Sequence, residues 1–174
     1  AESVLEIFEY LRVFCANPKA KGKNIGLITN AGGPGVIATD EAIGFGLKLA
    51  KLSAGSIKTL KAGLPPFANI HNPVDVLGDA KADRYELALR TLAQDKNVDV
   101  IGLILTPQAM TEIKETAEKI VAIRKETDKP IVASFMGGKL VKEAVQYMQE
   151  NGISTVAFPE QAMRAIGALA KFSV

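Results

Sequence analysis

The residues best placed to do chemistry lie in "IGLITNAGGPGVIATDEA", Ile25 to Ala42, where glycines and a proline separate an apolar run from a helical pattern. A helix opening at about Pro34 turns unpaired backbone N–H groups, and roughly half a positive charge, toward whatever sits before it. Pro34 suits that first turn because its missing donor costs nothing there. Asn30, Ala31, Gly32, Gly33, Pro34 and Gly35 therefore offer one kind of chemistry, the holding of an anion by bare main chain. A Walker-type nucleotide loop is excluded, since no Lys-Ser or Lys-Thr follows the glycines. Gly33, Gly35 and Ala38 do satisfy the G-x-G-x-x-A dinucleotide pattern, but the second strand ends in "KLAKLS", with no acid to hold a ribose. The readings left are a small-anion site and a tight glycine turn with no ligand.

A second stretch, "NIHNPVDVLGDA" from Asn69 to Ala80, lies in the longest loop. Asn72, Asp75 and Asp79 could hydrogen-bond across the rim and orient the glycine loop. Alternatively, Asn72–Pro73 starts a turn and Asp79 caps the next helix. His71 is the chain's one histidine and Cys15 its one cysteine, so no metal centre is expected. His71 reads as a surface-loop residue. Cys15, between Phe14 and Ala16, reads as a buried, inert thiol, and its isolation suits a reducing, cytoplasmic setting.

The elements that must position these residues alternate. Residues 3–15 read as an amphipathic lead-in helix, followed by a linker to residue 22 and one domain over 23–174. Strands are expected at Ile25–Thr29, Leu47–Leu52, Val98–Thr106, Pro130–Phe135 and Ser154–Phe158. Helices are expected at Pro34–Phe45, Ser56–Ala62, Asp83–Gln94, Thr111–Glu126, Lys139–Glu150 and Glu160–Phe172. The runs "VDVIGLILT" and "PIVASF" are almost wholly apolar, as parallel strands covered by helices on both faces must be. This is an α/β chain with a doubly wound, five-stranded parallel sheet, and five strands fit the flavodoxin-like order 2-1-3-4-5. Ligands of such sheets sit outside the carboxyl ends of the strands. That rim gathers the glycine loop, Thr106 and Gly137, with Gly32, Gly33, Gly35 and Gly137 expected to supply special backbone freedom.

A net charge of +2 gives no electrostatic reason to expect nucleic acid or membrane as partner. No apolar run approaches the roughly 20 residues of a membrane span. The opening "AESVLEIF" has no signal-peptide pattern and reads as a cut through a longer or processed chain.

The pairing of "IGLITNAGGPGVIATD" with "NPVDVLGDA" resembles the nucleoside-diphosphate-forming acyl-CoA synthetases, relatives of succinyl-CoA synthetase, over most of residues 3–172. The resemblance implies the flavodoxin-like ligase domain of an ADP-forming acyl-CoA synthetase, an acid–thiol ligase. In that family acyl-CoA and phosphate give an acyl phosphate, whose phosphoryl group passes to a histidine and then to ADP. The phosphohistidine lies between two helix N-termini, and Gly33–Gly35 would open one of them. By the same resemblance Gly32, Gly33 and Gly35 supply donors, Asn72 and Asp75 shape the site, and Thr106 and Gly137 line it. The histidine segment of the "SHTGSLAG" type is absent here, so no catalytic residue is assigned within the chain, and His71 does not take that role. The implied partners are the CoA-binding, phosphohistidine and ATP-grasp domains. CoA, ADP or ATP and Mg belong to the full enzyme, with no cofactor held by this domain alone. The rival reading is a non-catalytic regulatory or assembly domain, as in ligase-like modules fused to acetyltransferases.

Overall fold

A computed structural model of the chain describes Ala1 and residues 3–173, so Val174, the last residue of the expected domain, lies outside the described residues. Strands β1 (Asn24–Thr29), β2 (Lys48–Leu49), β3 (Val74–Asp75), β4 (Val100–Leu105), β5 (Ile131–Phe135) and β6 (Ser154–Thr155) form one parallel sheet. The path runs β2-β1-β4-β5-β6, which is the expected 2-1-3-4-5 order, and β3 adds a sixth strand. The helices are α1 (Val4–Ala16), α2 (Gly32–Gly44), α3 (Ala54–Gly63), α4 (Ala82–Gln94), α5 (Ile113–Arg124), α6 (Lys142–Glu150) and α7 (Pro159–Ser173). A 3₁₀ turn at Gly138–Val141 precedes α6.

The sheet divides two cores, as the alternating side chains of β4 require. Ile101, Leu103 and Leu105 face the layer of α3–α6, while Val100 and Ile104 face α2 and α7. The buried Tyr85 hydroxyl on α4 donates to the Ile104 carbonyl at 3.1 Å, which fixes that helix to the central strand. Burial pushes the Tyr85 phenol well above its ordinary pKa.

Several expectations need correction. The second strand is cut to Lys48–Leu49 because β1 divides that flank between two partners. β2 pairs with Asn24 and Ile25, and β3 pairs with Ile28 and Thr29. The last strand likewise ends at Thr155. Cys15 is exposed rather than buried, since α1 turns Val13 inward and leaves Leu5, Phe8 and Leu11 more than half exposed. Asp79 does not cap α4, whose N-cap is Lys81. Its carboxylate instead receives Arg84 Nη1 at 2.7 Å, a bond that holds Asp79 below the usual carboxylate range.

Candidate functional site: the head of helix α2

Helix α2 opens at Gly32, two residues earlier than the sequence suggests, with Ala31 as N-cap and Pro34 already inside the first turn. Ser3 caps α1 by accepting from Glu6 N–H at 3.1 Å, and Ser53 caps α3 by accepting from Ser56 N–H at 3.2 Å. No side chain caps α2, nor α4, α5 or α6. The nearby hydroxyl is spent on the loop itself: Thr29 Oγ1 accepts from Ala31 N–H at 3.0 Å and donates to the Ala31 carbonyl at 2.8 Å. Gly35 N–H already bonds to the Ala31 carbonyl at 3.2 Å. Pro34 has no N–H, so the donors left at the helix head are those of Gly32 and Gly33, both exposed.

The glycines there are not required by backbone conformation. None of Gly32, Gly33 and Gly35 has a positive φ, because all three lie in regular helix, which corrects the expectation of special backbone freedom. A Cβ built on Gly32 or Gly33 would meet nothing within 4 Å, whereas one on Gly35 would stand 3.0 Å from Thr29 Cγ2. Gly35 is therefore small for the loop's own packing. At Gly32 and Gly33 the main chain is bare, and among the described residues nothing stands within 4 Å of where a Cβ would lie. Gly137 differs, with φ of 155° and Pro107 Cγ 2.8 Å from any added Cβ.

The loop is held from below by carboxamides. Asn30, 2% exposed, donates Nδ2–H to the Thr106 carbonyl at 2.8 Å and accepts Thr106 N–H on Oδ1 at 2.8 Å. That reciprocal pair extends the β1–β4 ladder one step past the strand ends, so Thr106 presents its backbone to Asn30 and not to the rim. Asn72 accepts Leu27 N–H at 2.9 Å and donates to the carbonyls of Ile25 at 2.7 Å and Ala50 at 3.0 Å. Its side chain fills the gap between β2 and β3, away from the α2 head. Asp75 accepts Leu77 N–H at 2.9 Å and stabilises the turn in which Leu77 takes φ of 74°. His71 is exposed in the turn between Asn69 and Asp75, outside the lining of the glycine cavity.

Beside the loop, and bordered by Gly32 of the helix head itself, lies a cavity of about 300 Å³ that Thr29, Gly35, Val36, Asp40 and Asp75 also line. Its charged groups are the two carboxylates of Asp40 and Asp75, which disfavour an anion inside the cavity itself. Two residues at the mouth escaped the sequence reading. Val36 and Ile37 are 61% and 51% exposed, an apolar pair immediately beside the bare amides. The signal available for them was their place one turn into the helix, where a core-facing residue would have been expected only for every third or fourth position. Among the described residues no group of three His, Cys, Asp or Glu side chains could hold a metal ion, and no helix is long and apolar enough to cross a membrane.

Comparison with known proteins assigns the family. Residues 25–173 match the Ligase-CoA domain. The chain is 39% identical over 173 residues to acetate–CoA ligase [ADP-forming] I of Archaeoglobus fulgidus, covering 99% of this chain and 24% of that protein. It is 38% identical to the alpha subunit of acetate–CoA ligase [ADP-forming] II of Pyrococcus furiosus, covering 97% of this chain and 38% of that subunit. Among solved structures, the dinucleotide-forming acetyl-coenzyme A synthetase 1 of Ca. Korarchaeum cryptofilum, in complex with phosphate and ADP, superposes with a TM-score of 0.91 at 32% identity. That match covers 97% of this chain and 37% of the other. The matched residues run from the first strand to the last helix, and the chain belongs to the Ligase-CoA domain family.

Proposed function

We propose that the chain works as one domain of an ADP-forming acyl-CoA synthetase, where the head of α2 stabilises a phosphoryl group that another domain carries. The overall reaction takes acyl-CoA, phosphate and ADP to the acid, CoA and ATP. Phosphate displaces CoA to give an acyl phosphate, a histidine takes the phosphoryl group and releases the acid, and ADP takes it from the histidine. The observation that carries this reading is the exposed Gly32–Gly33 pair, which is free of cap, strain and internal contact. A group that must receive a phosphoryl and release it again gains from fixed dipoles and N–H donors, and loses if an adjacent cation holds the phosphate too well. No Lys or Arg occurs from Asn30 to Leu47, in agreement with that requirement.

The histidine, the CoA site and the ATP-grasp site belong, in this reading, to partner domains of a cytoplasmic enzyme. In the same reading Mg is held with the nucleotide on those partners. Val36 and Ile37 provide the apolar contact on which a partner bearing the histidine would seat.

Gly33→Asp and Gly33→Ala in the complete enzyme test the assignment. A Cβ at position 33 meets nothing within 4 Å, so both side chains start in open space and folding is expected to be spared. The carboxylate satisfies the helix dipole in place of the phosphoryl group and repels it. We expect phosphoenzyme formation to fall by roughly 10²–10³ in Gly33→Asp, the cost of losing one preorganised donor, and by much less in Gly33→Ala. Phosphoenzyme formed by Gly33→Asp at the wild-type rate would leave the glycine loop a structural turn.

A further inference from the structure

A cavity larger than the one at the glycine loop lies elsewhere on the molecule. It opens at the other end of the carboxyl rim, beyond β5 and β6, with a volume of about 570 Å³, within the range of roughly 300–1,000 Å³ typical of small-molecule sites. Phe135 and Val156 line it and are 4% and 5% exposed, while half-buried Val145 on α6 completes an apolar wall. Arg12 from α1, Lys139 from the 3₁₀ turn and Lys142 from α6 are exposed at its border. Three separate elements thus bring cations to one opening. Among the described residues no carboxylate lines this cavity, whereas Asp40 and Asp75 line the one beside the glycine loop. Arg12 also faces Glu9 on its own helix, so Lys139 and Lys142 are the freer charges.

The turn that places Lys139 is built for this arrangement. Gly137 and Gly138 have φ of 155° and 54°, and Gly137 lies flat on Pro107 with no room for a side chain. The reversal carries Lys139 and Lys142 back over the ends of β5 and β6 and does not let α6 start directly after the strand. An apolar wall below and cations of one sign above select a ligand with the opposite arrangement. We propose that this cavity binds an amphipathic organic anion, with its hydrocarbon or aromatic part against Phe135, Val145 and Val156 and its acidic head at Lys139 and Lys142. The proposal is independent of the phosphoryl role assigned to α2.

The head could be a carboxylate or a phosphate, and probes of equal chain length separate these. Residues 1–174 are titrated with octanoate, octyl phosphate, octanol and octylamine while methyl resonances are followed by NMR. Octanoate and octyl phosphate shift the methyls of Val145 and Val156, the tighter of the two naming the head group. Butanoate binds at least about tenfold more weakly than octanoate because it buries four fewer methylenes. Lys139→Gln together with Lys142→Gln, both exposed positions, weakens octanoate about three- to tenfold, as expected for two exposed ion pairs. Octylamine binding as tightly as octanoate would overturn the proposal. So would methyl shifts confined to other parts of the chain, or octanoate affinity unchanged in the double variant.

Discussion

At the scale of the residue, two asparagines do the work of peptide groups. A carboxamide carries both a donor and an acceptor in one plane, which lets it stand in for main chain at a break in a β ladder. Asn30 does this between β1 and β4, where its amide and the Thr106 backbone exchange a reciprocal pair of bonds. Asn72 does it on the other flank of β1, satisfying Leu27 N–H and the carbonyls of Ile25 and Ala50. Asn72→Ala removes all three bonds and leaves those backbone groups unpaired. Each such orphan costs about 1–3 kcal/mol where water cannot reach it, and Asn72 is half-buried, so the expected loss is about 2–4 kcal/mol. Urea unfolding monitored by circular dichroism measures it as a lower midpoint at unchanged slope. Asn72→Asp should be no better, since it retains the acceptor for Leu27 and sets a carboxylate against two carbonyl oxygens. A change under about 0.5 kcal/mol in both, the ordinary range for surface substitutions, would mean that the amide does not hold the strands together.

At the scale of the element, helix α2 is weaker than its own chain requires. Glycine costs about 0.5–1 kcal/mol against alanine inside a helix, and neither Gly32 nor Gly33 is repaid by a positive φ or a tight contact. Gly32→Ala and Gly33→Ala should therefore each raise stability, by up to about 1 kcal/mol, partly through the unfolded chain. Gly137→Ala should lower it, because φ of 155° and the Pro107 contact at 2.8 Å both oppose a Cβ. Thermal melts of the three variants decide this, and destabilisation by Gly32→Ala or Gly33→Ala would show that the helix head is constrained after all. The strand order and the location of the rim were legible in sequence because long apolar runs such as Val100–Leu105 and Ile131–Phe135 admit few other arrangements. The place of the glycine loop at the end of the first strand was legible, but the helical backbone of its glycines was not, since glycine is compatible with turn and helix alike. Val74–Asp75 is too short, and too close to Pro73, for periodicity to mark it as a strand. The bridging role of Asn72 could not be read at all, because its partners lie 22 to 47 positions away in the chain. The apolar stripe of α1 pointed to burial, and here most of it faces outward.

At the scale of the whole molecule, the sheet and its two cores are complete while the rim is not. The helix head offers two amides and a dipole, but among the described residues no His, Cys, Lys or Arg lines the cavity beside it. His71 lies in a separate turn, outside the glycine cavity. Under the proposed function, the phosphoryl acceptor and the nucleotide site must therefore arrive on other domains. The exposed apolar residues Val36 and Ile37, with the outward stripe of α1, are the surfaces suited to receive them. Each exposed dipole contact with an anion contributes about 0.3–1 kcal/mol, far below the roughly 4.1 kcal/mol that a millimolar affinity represents. Residues 1–174 alone should therefore bind free phosphate no better than in the millimolar range. They should also produce no ATP from acetyl-CoA, ADP and phosphate. A luminescent ATP assay against a buffer control, with contaminating kinase excluded, measures turnover, and amide shifts of residues 32 and 33 during a phosphate titration measure binding. ATP formation by the isolated chain would mean that it holds an acceptor and a nucleotide site of its own, and the reading of α2 as one part of a shared centre would fall. A silent chain whose Gly32 and Gly33 amides still respond to phosphate is the outcome the proposed role predicts, because the fold orients those donors whether or not a partner is present.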